Sequence, residues 1–360
     1  MKVLYDYQIM LSQKYGGVSR GFCEVASRLQ KEYLDDIFFI ADGSQNYYLE
    51  ELFGITAISE KNSFGMDDYK KSNQKRTIEN CRSGKYDILH STWYDPYLYN
   101  ITGCKHVITI HDMIQEIYPL YFVHKNLVEC KKRLIEVADL VIAVSEHTKN
   151  DILKIYPHVP EEKVCVVYQG GKIKPNYEPQ NLKIPPKYLL YVGVRNNYKN
   201  FDRFYIAAEY LMKKYKDLYL ICVGGGSFTP FELRMIGEMR DRIFQYNVTE
   251  SQLAYLYSHA IEFVFPSKYE GFGIPLVEAF SCGCPVVLSN ASCFPEIAED
   301  AAVYFDPDNI NNMIEKMERV MLDKQLRKKN IEMGIKRATQ FSWKNSTKQM
   351  HQAYQKVLEM

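Results

Sequence analysis

The chain has 360 residues, 46% of them hydrophobic and 25% charged, too long for one ordinary core and suited to two domains of roughly 150 to 200 residues each. A net charge of +1 excludes nucleic acid as the main partner, because a phosphate-tracking surface carries a clear basic excess. Nine scattered cysteines, with no CxxC pair and with Cys282-Gly-Cys284 too tight for a zinc knuckle, read as reduced thiols.

The N-terminus, Met1-Lys-Val-Leu-Tyr-Asp6, lacks the apolar core of a signal peptide. No run approaches the roughly eighteen apolar residues that span a bilayer. A cytoplasmic protein is expected. The clusters Lys131-Lys132-Arg133, Lys213-Lys214 and Arg327-Lys328-Lys329 read as solvated helix faces, with peripheral contact at the inner, anionic membrane face as the alternative.

In chain order, apolar runs predict strands near Lys2–Tyr7, Ile37–Ile40, Ile88–His90, Val107–Ile110, Leu140–Val144 and Val164–Tyr168. Helices fall between them, including Ser19–Lys31, with Phe22, Val25, Ala26 and Leu29 on one face, and Glu146–Tyr156, stopped by Pro157. A Pro-, Asn- and Lys-bearing segment from about Gly170 to Pro186 reads as a linker. The alternation restarts with Tyr188–Val192, Leu218–Val223, Ile243–Tyr246, Ile261–Phe265, Val286–Leu288 and Val303–Phe305. The tail, Trp343–Glu359, places Met350, Tyr354 and Leu358 at helical spacing. Strand–helix alternation is the mark of a parallel sheet covered on both faces, so an α/β fold of two doubly wound, Rossmann-like halves is expected, with ligand beyond the carboxyl ends of the strands.

Several constellations carry chemistry. Gly16-Gly17 brings backbone N–H groups to a helix start, a phosphate-facing element. His90 and His111 each lie at a strand end. Arg195 and Lys199, on a glycine-containing loop after a strand, suit a diphosphate. Gly224-Gly-Gly226-Ser-Phe-Thr229 fails the dinucleotide fingerprint, because Thr229 stands at the third glycine position. Most telling is Phe265-Pro-Ser-Lys-Tyr-Glu-Gly-Phe-Gly-Ile-Pro-Leu-Val-Glu278. It sets Glu270 on a loop and Glu278 in the first turn of a helix that Pro275 opens, on either side of a Gly-x-Gly turn.

The string Tyr269-Glu-Gly-Phe-Gly-Ile-Pro-Leu-Val-Glu-Ala279 resembles the donor-sugar signature of retaining glycosyltransferases of family 4, the group-1 type with the GT-B fold. The resemblance extends to Leu11-Ser-Gln-Lys-Tyr-Gly-Gly-Val-Ser-Arg20, His111-Asp112, Val192-Gly-Val-Arg-Asn-Asn-Tyr-Lys-Asn200, Ser292-Cys-Phe-Pro-Glu296 and Phe341-Ser-Trp343. It departs at Tyr198, where many members place an Arg directly before the Lys.

The resemblance implies two Rossmann-like domains facing across a cleft: an acceptor-side domain over 1–172, with a C-terminal helix of about 343–360 packing back on it, and a donor domain over 173–342. It implies transfer of a hexose-type sugar from a nucleoside-diphosphate sugar to a hydroxyl of a glycan or lipid-linked acceptor, in surface polysaccharide, lipopolysaccharide or lipid-linked oligosaccharide assembly, with mannose as one candidate sugar. His111, Glu270, Arg195 and Lys199 would serve catalysis. Gly16, Gly17, Asn247, Val248, Gly271, Phe272, Gly273 and Glu278 would hold the donor, Asn247 and Val248 through main-chain groups at the base. No cofactor and no metal are implied: Asp67-Asp68 lacks the Asp-x-Asp spacing. A sugar-nucleotide epimerase on the same architecture and a degenerate, partner-binding transferase are the alternatives.

Overall fold

In the computed structural model, which describes residues 1–55, 65–122, 126–178 and 181–360, all twelve apolar runs are strands. They are β1 (Lys2–Tyr5), β2 (Asp36–Phe39), β3 (Ile88–Ser91), β4 (Lys105–Ile110), β5 (Leu140–Ala143), β6 (Val164–Val166), β7 (Tyr188–Val192), β8 (Tyr219–Val223), β9 (Ile243–Tyr246), β10 (Glu262–Phe265), β11 (Val286–Ser289) and β12 (Val303–Phe305). They form two six-stranded sheets, ordered β2-β1-β3-β4-β5-β6 and β12-β11-β10-β7-β8-β9, and neighbouring strands pair in parallel. The chain divides into one unit of Met1–Gly170 with Trp343–Met360 and a second of Gly171–Ser342.

The period of two along a strand explains why these runs read as continuous apolar sequence. In the first unit Val3, Tyr5, Ile88, Val107, Leu140 and Ile142 enter one core. Their neighbours Leu4, Leu89, Ile108, Val141 and Ala143 enter another, so both faces of the sheet are buried. In the second sheet Leu189, Tyr191, Leu220, Cys222, Val264 and Val287 share a core with the helix Phe201–Lys214. Each sheet reverses its strand order once, between β1 and β3 and between β7 and β10. Doubly wound sheets take their ligands beyond the strand ends at such a reversal.

The tail is a helix, Trp343–Glu359, buried against the first unit through Trp343, Met350, Ala353, Tyr354 and Val357. Val357, rather than the expected Leu358, completes that face; Leu358 is exposed. The Tyr354 hydroxyl lies 2.8 Å from Tyr5 Oη and 2.6 Å from His90 Nδ1, and His90 Nε2 lies 2.7 Å from Thr109 Oγ1. Both imidazole nitrogens of His90 are therefore used inside the core. This histidine, one of two candidates at strand ends, is a packing residue.

Burial drives the His90 imidazole down to about 3, with the charges of His106 and His111 adding to it. Its folded pKa lies below the unfolded value of about 6.5, so as pH falls the unfolded chain takes up a proton first. Its contribution is intact above about pH 6.5 and is lost towards pH 3, at about 1.4 kcal/mol per pH unit. The urea midpoint should fall between pH 7 and pH 5. A flat profile would contradict a neutral, buried His90.

The basic clusters are largely the solvated helix faces expected from the sequence, with Arg133, Lys213, Lys214, Lys328 and Lys329 exposed, but one member departs. Lys131 is fully buried. Lys213 and Lys214 pair with Glu209 and Glu318 at 3.0 and 2.7 Å, and Arg327 donates to the carbonyls of Val320 and Met321. Among the described residues no helix is long and apolar enough to cross a membrane. All nine cysteines are free, six of them buried. Of the expected linker, 179–180 lies outside the described residues. Its start is fastened to the second unit, where Gly171 N–H donates to Phe341 O (3.2 Å) and Ile173 N–H to Ser281 Oγ (3.2 Å).

Candidate functional site

At the strand-order reversal of the second sheet, two loops leave the carboxyl ends of β7 and β10 side by side. The first carries Gly193 to Asn200. It is shaped by positive φ at Gly193 (131°), Asn197 (46°) and Asn200 (59°). A residue with a short side chain that bonds locally tolerates this region best, which explains asparagine at two of the three positions. Asn200 is buried, and its Nδ2 donates to Pro266 O (3.2 Å) and Pro307 O (2.9 Å), tying this loop to the one after β10. Lys268 N–H donates to Tyr198 O at 2.8 Å and adds a second tie.

Those ties bring Lys199 Nζ to 2.6 Å from Glu270 Oε1, with the two side chains 16% and 14% exposed. A lysine and a glutamate 71 positions apart thus form one partly desolvated ion pair at the reversal. Glu270 is fixed through its backbone as well. Its N–H donates to Ser292 Oγ (3.1 Å), whose hydroxyl donates back to Glu270 O (2.5 Å).

Beyond Glu270, Gly271 and Phe272 are buried, and the Phe272 ring meets Phe341 edge-on at 5.4 Å. Gly273, at φ 84°, precedes the helix Ile274–Ser281. A Cβ there would lie 3.1 Å from the Phe294 ring, so glycine is required by backbone and by space alike. Pro275 is the second rather than the first helical residue, and Glu278 consequently lies one residue deeper, just past the first turn expected for it. Glu278 is buried and faces Tyr257, whose phenol is held protonated first by burial and then by the charge of Glu278. The helix N-terminus beside the Lys199–Glu270 pair supplies a partial positive charge.

Arg195 is the correction. It was expected to reach a diphosphate, yet its side chain is only 3% exposed and its guanidinium is taken up by the protein. Nε donates to Glu232 Oε1 (2.6 Å), Nη1 to Gly224 O (2.9 Å), and Nη2 to Gly226 O (2.9 Å) and Ser227 O (3.1 Å). The three glycines all have positive φ, and a Cβ on Gly225 would meet Arg195 Nη1 at 2.8 Å and Gly193 O at 2.9 Å. Arg195 is a clasp for the loop after β8. Glu232 belongs to the same assembly: its other oxygen accepts from Thr229 N–H (2.7 Å) in a capping box. Arg195→Ala should strand Glu232 and three carbonyls and cost about 2–3 kcal/mol of stability. A variant with a wild-type melting temperature and a selective catalytic defect would restore the phosphate role.

Asn247 and Val248 follow the edge strand β9. Asn247 is exposed, and its Oδ1 accepts from Gln245 Nε2 at 3.4 Å. They are two strands away from β7, so the structure does not bring them into contact with the ion pair. Among the described residues no group of three or more His, Cys, Asp or Glu could hold a metal ion.

The first unit holds the remaining candidates. Gly16 caps the helix Gly17–Tyr33 without a side chain of its own. Gln13 Oε1 accepts from Ser19 N–H (3.2 Å) in its stead. His111 follows β4, with its ring edge-on to Phe22 (5.8 Å) and stacked on Trp93 (6.2 Å). Burial lowers its imidazole to about 4, the Asp112 carboxylate opposing and the Lys131 ammonium reinforcing the shift. It is neutral at pH 7, and its Nε2 is buried without a partner. That atom is available to a ligand hydroxyl.

Sequence reasoning missed what holds His111 in place. The Tyr94 hydroxyl accepts from His111 N–H (3.1 Å) and donates to Thr109 O (3.2 Å). Lys131 Nζ donates to Asp112 O and to Glu116 Oε2, each at 3.0 Å, and lies 5.5 Å from the Tyr94 ring centroid. In sequence Lys131 looks like one member of a basic triplet, and nothing local marks it as internal.

Comparison with known proteins gives the family and the fold. The family described as Glycosyltransferase Family 4 matches residues 15–171, and that described as Glycosyl transferases group 1 matches 174–337. The chain is 28% identical over 325 residues to the O-antigen chain mannosyltransferase B of Escherichia coli, covering 80% of this chain and 84% of that one. It is 31% identical over 206 residues to the O-antigen chain mannosyltransferase RfbU of Salmonella typhimurium, covering 56% and 57%. Among solved structures, the sucrose-phosphate synthase of Thermosynechococcus elongatus aligns over 99% of both chains with a TM-score of 0.76 at 19% identity. Anabaena HepE in complex with UDP-glucose aligns over 100% of both with a TM-score of 0.74 at 18% identity. These likenesses give the α/β fold of GT-B glycosyltransferases, and the chain belongs to the group-1, family 4-type glycosyltransferases.

Proposed function

We propose that the protein transfers a hexose, a mannosyl group on the pattern of its relatives, from a nucleoside diphosphate to a hydroxyl of a surface glycan, retaining the anomeric configuration and without a divalent ion. The observation that carries this reading is the Lys199–Glu270 pair at the strand-order reversal, beside the helix N-terminus at Gly273. A cation, a carboxylate and the positive end of a helix meet there, the set that a diphosphate joined to a polyhydroxylated ring requires.

In this reaction the bond between the anomeric carbon and the phosphate oxygen breaks, and its electron pair leaves with the diphosphate. Lys199 and the N–H groups at the helix start stabilise that charge, in place before the reaction and partly shielded from water. Glu270 and the amides of Phe272 and Gly273 hold the sugar's hydroxyls and favour positive charge on its ring. Glu278 accepts from the ribose hydroxyls, Asn247 and Val248 meet the base through main-chain groups, and the Gly16-Gly17 amides face phosphate. His111, neutral and with Nε2 unpartnered, is assigned a hydroxyl of the sugar. The acceptor oxygen bonds to the anomeric carbon on the face that the phosphate leaves, and its proton passes to the departing phosphate. The enzyme needs no metal because Lys199 supplies the charge. Arg195 takes no part.

Thermal unfolding with a panel of GDP-, UDP- and dTDP-sugars in excess EDTA tests this. A donor at 100 times its Kd adds about 2.7 kcal/mol. No stabilisation by any of them, or stabilisation only when magnesium is restored, would count against the reading.

A further inference from the structure

We propose that the exposed face of Tyr15 is a subsite for a sugar ring of the glycan acceptor, an assignment that rests on the glycosyl-transfer reading above. Tyr15 directly precedes Gly16 and is 61% exposed. Its ring stacks on Tyr47, which is 41% exposed, with centroids 5.2 Å apart and planes at 29°. Tyr47 in turn meets Tyr48 at 5.3 Å and 80°, and the Arg20 guanidinium lies 6.0 Å from the Tyr48 centroid. Three tyrosines thus form a ladder with Tyr15 outermost.

The ladder is anchored by the backbone beneath it. Tyr47 N–H donates to Lys14 O (3.0 Å) and Asn46 Nδ2 donates to Gln13 O (2.6 Å). Asn46 Oδ1 also accepts from Tyr48 N–H and Leu49 N–H, each at 3.1 Å, capping the helix Tyr47–Phe53. The loop that carries Tyr15 and the helix that carries Tyr47 and Tyr48 lie in the connections after the adjacent strands β1 and β2, the end at which a doubly wound sheet takes its ligands. Rings held in this way lose little freedom when a ligand arrives.

The chemistry selects the occupant. A pyranose presents a patch of C–H groups on one face and hydroxyls around its rim. The C–H patch suits the apolar face of an aromatic ring, and tyrosine hydroxyls with a nearby guanidinium suit the rim. A glycan that grows by one sugar at a time offers such a ring next to the attacking hydroxyl.

Titration of wild type, Tyr15→Ala and Tyr15→Phe with mannotetraose and, separately, with nucleoside diphosphates tests the assignment. Tyr15→Ala should weaken mannotetraose about five- to tenfold, the size of one aromatic contact, while Tyr15→Phe stays close to wild type. Nucleoside-diphosphate affinity and melting temperature should be unchanged, and in turnover the acceptor KM should rise with the donor KM unmoved. Equal mannotetraose affinity in wild type and Tyr15→Ala, or none in wild type, would overturn the subsite. So would a loss confined to the nucleotide, which would give the surface to the donor's base. Failure of wild type to bind any nucleoside diphosphate would instead remove the underlying glycosyl-transfer reading.

Discussion

Lys199→Ala should lower kcat/KM by about 10²-fold or more, the loss that follows removal of one preorganised charge-stabilising group. The fold should barely register it. Lys199 and Glu270 form a single pair at 2.6 Å, each side chain still partly reached by solvent, and such a pair contributes about 1 kcal/mol at most. A melting-temperature shift of about 2–4 °C is therefore the ceiling for a protein with units of this size. The catalytic loss exceeds the folding loss because the charge on the leaving diphosphate develops only during the reaction. Steady-state rates and thermal unfolding of the same preparation separate the two. A wild-type rate for Lys199→Ala would remove the site from this loop.

The two glutamates should fail in different ways. Glu270→Gln keeps the volume but removes the negative charge, and turnover should fall about 10²- to 10³-fold. Its affinity for the bare nucleoside diphosphate should be preserved or improved, because Glu270 competes with phosphate for Lys199 in the free protein. Glu278→Gln should do the opposite. Placed in the second turn of the helix Ile274–Ser281 and assigned to the ribose, it touches a part that donor and free nucleotide share. Both ligands should weaken by about tenfold, in line with one hydrogen bond to a charged group. Calorimetric titration with the nucleoside diphosphate decides the point, and equal losses in both variants would contradict separate roles.

Period and punctuation made most of the fold legible in the sequence. Fully buried strands such as Ile88–Ser91 and Leu140–Ala143 stand out as short apolar runs, and Gly273 with Pro275 marks the start of a helix. The loop carrying Glu270 was legible through its resemblance to a family. Other features were not legible, for reasons of physics. Lys131 and Arg195 are cations whose partners lie 15 to 37 positions away in sequence, so their burial follows from tertiary structure alone. An arginine in a glycine-containing loop reads as a phosphate ligand until Glu232 and the carbonyls of Gly224 to Ser227 are found on its guanidinium. His90 shows the same limit. Its polar partners, Thr109 and Tyr354, come from β4 and from the last helix of the chain. Asn200 and Ser292 adopt left-handed backbone conformations at φ 59° and 56°. Their work is to join loops, which no local pattern reveals.

The anomeric configuration of the product tests the account most directly. An inverting enzyme needs a base on the acceptor hydroxyl, opposite the leaving group, whereas here the departing phosphate takes the proton and His111 is assigned to the donor sugar. With an α-linked nucleotide sugar and a glycan acceptor, NMR of the purified product should show an α-glycoside in its anomeric one-bond C–H coupling. A β-glycoside would mean that a side chain such as His111 or Asp112 serves as the acceptor's base, and the mechanism built on Lys199 and Glu270 would be wrong.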